Sequence, residues 1–85
     1  MKLIMIGAEW CGKCTKAKQI LKKFDIDYEY IDYDKDVRGV ELEEKYGFEH
    51  LPFFLLVGDN NKVIKTEKSV MGAVKICRIM YQSDE

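Results

Sequence analysis

Lys2-Leu3-Ile4-Met5-Ile6-Gly7-Ala8-Glu9-Trp10-Cys11-Gly12-Lys13-Cys14 is the stretch whose reading decides the fold. Lys2 to Ala8 is a short, nearly continuous apolar run closing on glycine, which predicts a buried strand rather than a helix. Beyond Cys14 the period changes. Ala17, Ile20, Leu21 and Phe24 fall at i, i+3, i+4 and i+7, with Lys16, Lys18, Gln19, Lys22 and Lys23 off that stripe, so a helix runs from Cys14 to Phe24 and Asp25 ends it. Cys11 and Cys14 therefore sit at a strand-to-helix junction, two sulfurs within bonding reach, the first at the positive end of the helix.

Working outward, Asp27 to Tyr33 alternates tyrosines and Ile31 with acids, which predicts a second, half-exposed strand nearer an edge. A charged turn over 34–38 leads to a short helix from Val40 to Tyr46, with Leu42 and Tyr46 on one face and Gly47 as its stop. Gly39 weakens the N-terminal part of that helix. Phe53-Phe54-Leu55-Leu56-Val57 is the strongest strand signal, with both phenylalanines assigned to the core. The turn chemistry of Gly58-Asp59-Asn60-Asn61 and a returning strand from Lys62 to Thr66 make a β-hairpin. A last helix from Ser69 to Tyr81 carries Val70, Ala73, Val74, Cys77, Met80 and Tyr81 on its apolar stripe, followed by a polar tail, Ser83-Asp84-Glu85. The order is β-α-β-α-β-β-α. The helical crossover makes the first two strands parallel, and the hairpin adds two antiparallel ones. The expectation is an α/β domain over residues 1–85, a four-stranded mixed sheet with helices on both faces.

Composition narrows the function classes. Fourteen basic against fifteen acidic side chains leave a formal charge of −1, with no basic face for nucleic acid. The lysines at 13, 16, 18, 22 and 23 read as the solvated face of a helix. No apolar run approaches membrane-spanning length, and the N-terminal run lacks a small-residue cleavage site. Three cysteines, two in one C-x-x-C, fit a reducing cytoplasm better than a secreted disulfide framework. A monomer with no bound cofactor, other than a redox-active Cys11–Cys14 disulfide, is the expectation.

Thiol exchange proceeds through a thiolate, and a helix N-terminus favours one. Cys11 takes that position, with Lys13 as a nearby cation, Glu9 as an opposing charge and Gly12 keeping the sulfur accessible. Cys14, one turn on, lies inside and is less exposed. The roles follow: Cys11 attacks a substrate disulfide, and Cys14 resolves the mixed disulfide.

These features together resemble the thioredoxin/glutaredoxin family. Ala8-Glu9-Trp10-Cys11-Gly12-Lys13-Cys14 is similar to the thioredoxin active-site run, with Lys13 where proline is usual. Lys45-Tyr46-Gly47-Phe48 ahead of Leu51-Pro52 matches the family's approach to its cis-proline loop, and element order and length match a glutaredoxin-sized core. The resemblance implies a thioredoxin fold, a cis Leu51-Pro52 bond facing the cysteines, and a substrate groove formed by Trp10, Gly12, Lys13, Leu51 and Pro52. It implies a disulfide reductase serving proteins such as ribonucleotide reductase and recharged by a thioredoxin-reductase-type donor, or alternatively by glutathione. Three departures stand out. Met5 replaces the acid that thioredoxins bury beneath the second cysteine, and the second strand lacks that acid's lysine partner. Glu67-Lys68-Ser69-Val70-Met71-Gly72 lacks the Gly-Gly-acid run with which glutaredoxins hold glutathione. Leu51 stands where threonine or valine is usual before the proline.

A rival of another class is a soft-metal module holding copper(I) or zinc on Cys11 and Cys14. Zinc in a structural site wants four ligands, and His50 and Cys77 are far off in sequence. Cys77 reads as a buried structural thiol on the last helix, and His50 as a solvated loop side chain.

Overall fold

The computed structural model describes residues 1–82, the side chains of 80–82 excepted; the expectations for Met80, Tyr81 and Ser83-Asp84-Glu85 fall outside the described residues. The elements run β1 (Lys2–Gly7), α1 (Gly12–Lys23), β2 (Tyr28–Asp32), α2 (Val37–Tyr46), β3 (Phe53–Val57), β4 (Val63–Glu67) and α3 (Val70–Gln82). The strands form one four-stranded sheet in the order β2-β1-β3-β4. β1 and β2 are parallel with Met5 opposite Tyr30, and β1 and β3 antiparallel with Met5 opposite Phe54. β4 returns antiparallel to β3, with an irregularity between Leu56 and Val57. The alternating segment around the tyrosines is an edge strand, as its pattern predicts.

The sheet divides the core in two, because alternate side chains of one strand face opposite ways. On one face Leu3, Met5, Phe54 and Leu56 pack with Cys14, Ala17 and Leu21 of α1 and with Ala73, Val74 and Cys77 of α3. On the other, Ile6, Ile31, Phe53, Leu55 and Val57 pack with Phe48, and Leu42 and Tyr46 of α2 close over them. Helices thus cover both faces. β1 and β3 are central, which is why their sequences read as apolar runs rather than as alternation.

Helix ends follow local chemistry. Basic Lys22 and Lys23 occupy the last turn of α1, where carbonyl ends attract cations, and Asp25 leaves it in the left-handed region at φ 56°. Gly47 ends α2 at φ 67°, its amide returning to the Glu43 carbonyl at 2.8 Å. Ser69 opens α3 by accepting the Gly72 amide at 3.0 Å.

The start of α2 differs from expectation: it begins at Val37, not Val40. Asp36 caps it, accepting the Arg38 amide at 3.0 Å, and the helix then runs through Gly39. That glycine answers to packing rather than to a helix stop. A Cβ there would lie 3.0 Å from the Tyr33 Cα and 3.3 Å from its ring, and a backbone atom cannot swing aside.

The sign of a substitution follows. In a free helix interior, glycine to alanine gains about 1 kcal/mol. Gly39→Ala is expected instead to destabilise by about 1–3 kcal/mol, the range of core overpacking. Gly12→Ala, whose Cβ would meet nothing within 4 Å, is expected to be neutral or stabilising. Urea midpoints measured on the two variants check the contrast, and a stabilised Gly39→Ala would refute the packing account.

Candidate active site

The C-terminal end of β1 delivers the chain into a tight turn, Ala8 to Cys11, closed by the Cys11 amide on the Ala8 carbonyl at 3.2 Å. Cys11 is the N-cap of α1, so the helix begins at Gly12, two residues before the periodicity places it. Its sulfur accepts the Cys14 amide at 3.2 Å, one of the donors a helix start leaves without an intrahelical partner. The same sulfur lies 3.7 Å from the Leu51 carbonyl. Leu51-Pro52 is cis, as the resemblance implies, and it brings that carbonyl across from β3 onto the cysteine.

Cys11 is consequently covered, at 8% exposure, rather than open as Gly12 led us to expect. Gly12 itself is exposed; it is the Leu51 loop opposite that closes over the sulfur. Cys14 is buried more deeply, at 1%, in the order expected. Burial chiefly, then the hydrogen bond and charge of Cys11, pushes the Cys14 thiol up to about 12, against a smaller lowering from the Ala8 backbone and Lys18. At neutral pH Cys14 is therefore held as a thiol.

Trp10 projects outward, 71% exposed, and its indole N–H donates to Asp34 at 2.6 Å. Glu9 pairs with Lys35 at 2.8 Å. These two contacts tie the turn before the cysteines to the turn after β2. Beside them lies a groove of about 340 Å³ lined by Trp10, Cys11, Lys13, Phe48, His50 and Leu51. A second of about 440 Å³ continues past Lys13, Phe48 and Pro52 to Lys68. The sequence candidates Trp10, Cys11, Lys13, Leu51 and Pro52 are thus brought together around one channel. Cys14 lies beneath it, and Gly12 forms the exposed first residue of α1. His50 is an exposed groove residue, and Cys77 lies in the core cluster with Cys14, its thiol raised by burial. Among the described residues no group of three or more histidine, cysteine or acidic side chains stands together as a metal site.

Tyr30 was read as part of a half-exposed strand, and the structure gives it more. A Cβ on Gly7 would lie 3.0 Å from the Tyr30 ring, 3.2 Å from its hydroxyl and 3.1 Å from the Cys14 sulfur. The missing side chain of Gly7 therefore leaves a space that phenol and thiol both border. The Tyr30 hydroxyl is buried without a hydrogen-bond partner among the described residues. Burial, then the Asp32 charge, pushes its ionisation up to about 12. Lys18 lies over the ring, its ammonium 3.7 Å from the centroid. The signal was parity: in a parallel register Tyr30 shares Met5's face, but the register is not written in either strand alone.

A family model described as Glutaredoxin matches residues 1–56. No curated protein matches the sequence. Among solved structures, NrdH-redoxin from Escherichia coli is similar at 21% identity over 82% of this chain and 84% of that one, with a TM-score of 0.65. Thioredoxin 1 from the thermophilic eubacterium Thermosipho africanus aligns over the whole of both chains at 22% identity and a TM-score of 0.63. A Plasmodium falciparum thioredoxin gives 21%, 94% of this chain, 84% of that one and 0.64. At such identities the likeness shows the fold, which is thioredoxin-like. The family match spans well over half the sequence and takes in the cysteine pair, the cis-proline loop, β1, β2 and all but the last residue of β3: this chain belongs to the glutaredoxin family of thioredoxin-like redox proteins.

Proposed function

We propose that the protein is a dithiol–disulfide oxidoreductase that reduces protein disulfides, with Cys11 attacking and Cys14 resolving. The observation that carries this reading is the placement of the Cys11 sulfur. It is capped by the Cys14 amide at 3.2 Å, faced by the Leu51 carbonyl at 3.7 Å, and set at the wall of a groove flanked by Trp10 and Lys13. An extended substrate segment lying along Leu51-Pro52 brings its disulfide onto that sulfur. Attack forms a Cys11–substrate disulfide. Cys14 then displaces the substrate thiol and leaves the Cys11–Cys14 disulfide, two electrons having moved.

For the electron donor we favour a thioredoxin-reductase type over glutathione. The chain from the end of β4 into α3 reads Glu67-Lys68-Ser69-Val70-Met71-Gly72, and the Gly72 amide is already taken by Ser69. The Escherichia coli NrdH-redoxin, a glutaredoxin-like protein with a thioredoxin-like activity profile, is a precedent for that combination. The reading extends to a cytoplasmic monomer whose substrates include enzymes that form a disulfide in turnover, ribonucleotide reductase among them.

The test is insulin reduction with dithiothreitol. The protein is expected to accelerate it, and Cys11→Ser to fall to the uncatalysed rate; a Cys11→Ser protein that still accelerates it would overturn the assignment. NADPH with thioredoxin reductase is expected to re-reduce the protein faster than glutathione with glutathione reductase, and the reverse order would move the donor to glutathione. Stoichiometric copper or zinc retained through anaerobic purification would turn the reading to a metal module.

A further inference from the structure

Resolution demands that Cys14, a deeply buried thiol, become a nucleophile. Burial of charge is costly unless a donor receives it, and Met5, directly beneath, offers none. The side chain on hand is Tyr30, whose hydroxyl borders the same space over Gly7 as the Cys14 sulfur and makes no hydrogen bond among the described residues. An unpaired buried hydroxyl is a cost to folding. Its position beside a sulfur that must ionise gives that cost a use.

We propose that the Tyr30 hydroxyl is the hydrogen-bond donor that stabilises the Cys14 thiolate during resolution, with Lys18 over the ring strengthening the donor. The proposal rests on the oxidoreductase reading and deepens it. In the step, the Cys14 sulfur attacks the Cys11 sulfur of the mixed disulfide, and the Cys11–substrate S–S bond breaks. The substrate sulfur leaves with the bonding pair and takes the proton that Cys14 gives up. In this step Cys14 is oxidised and the substrate sulfur is reduced, while Cys11 passes from one disulfide to another. Tyr30 turns its hydroxyl onto the Cys14 sulfur as that sulfur takes on charge, and transfers no proton of its own. Its raised ionisation suits that part, since it stays a donor over the whole range in which the cysteines react. The charged and titratable groups that act on the pair are Lys18 of α1, Asp32 of β2, and Glu9 and Cys11 of the intervening turn.

Single-turnover reaction with Ellman's reagent separates the two chemical events. The first nitrothiobenzoate released reports attack by Cys11, the second resolution by Cys14. A Cys77→Ala background leaves the pair as the only thiols. Tyr30→Phe keeps the ring under Lys18 and removes a hydroxyl that makes no hydrogen bond, so its thermal midpoint is expected to be unchanged or raised. Its first release is expected to stay within about twofold of the parent. Its second is expected to slow roughly tenfold or more at every pH from about 6 to 9, the effect of losing one hydrogen bond to a charged group. Gly7→Ala, which puts a methyl between hydroxyl and sulfur, is expected to slow the second release as well. A second release at the parental rate in Tyr30→Phe, or an equal slowing of both releases, would overturn the proposal. Absence of any Cys11-dependent first release in the unsubstituted protein would overturn the oxidoreductase reading itself, and this proposal with it.

Discussion

Cys14→Ala is expected to abolish turnover with protein disulfides while leaving the first attack intact. In the parent, the Cys14 sulfur is carried on the first turn of α1 directly behind Cys11, its own amide bonded to the Cys11 sulfur at 3.2 Å. Groups held so near their target react with effective molarities of about 10⁵ M and upward. Millimolar dithiothreitol cannot replace such a group, so insulin reduction is expected to drop by at least roughly a hundredfold. The protein should accumulate as a Cys11-linked mixed disulfide, read by intact mass before and after reduction. Alanine is the better replacement than serine, because the site is 1% exposed and a serine hydroxyl left unpaired there would cost about 1–3 kcal/mol. Full turnover by Cys14→Ala would refute the resolving role. It would point to a route in which an external thiol, glutathione above all, regenerates Cys11.

The difference between the two cysteines comes from the fold more than from the motif. Both sit in one short loop, yet one caps the helix and borders the groove, while the other is enclosed by β1, α1 and Tyr30. The spacing of Cys11 and Cys14 was enough to order their burial, since three residues along a helix turns the second sulfur inward. It was not enough to tell how covered Cys11 would be. That depends on the Leu51 carbonyl, which arrives from forty residues away and which no local pattern announces.

The same division holds across the chain. Strands β1 and β3 were legible because a central strand is apolar on both faces, and α1 because its stripe is regular. The start of α2 was not. Gly39 carries an ordinary helix penalty in sequence, and only contact with the Tyr33 backbone shows why a glycine is required there. Tyr30 was hidden for a related reason. Tyrosines alternating with acids describe an edge strand correctly, but which tyrosine lies beneath the cysteines depends on the β1–β2 register. Function here lies where elements distant in sequence meet, and local patterns fall silent at those places.

The sheet makes the support of this site testable through Phe54. Phe54 stands opposite Met5 on the central pair of strands, 1% exposed, in the cluster that holds Cys11, Cys14, Ala73, Val74 and Cys77. Removing a buried phenylalanine costs about 3–5 kcal/mol, transfer and cavity together. A domain of 85 residues has roughly 5–13 kcal/mol in all. Phe54→Ala is therefore expected to forfeit about a quarter or more of the stability and to lower the thermal midpoint by about 12–40 °C. Its neighbour provides the control for location. Phe53 faces the opposite layer, stacked on Phe48 with ring centroids 4.4 Å apart, so Phe53→Ala loosens α2 and the approach to the cis-proline loop. Hydrogen exchange below the global transition should separate them. Phe54→Ala is expected to lose protection first in α1 and α3, and Phe53→Ala first in α2. A Phe54→Ala loss below about 1 kcal/mol, well short of the cavity range, would mean that the α1–α3 layer does not anchor the sheet. The cysteine pair would then rest on the α2 side and its loop alone, and an equal loss of protection in both variants would argue that the two layers unfold as one.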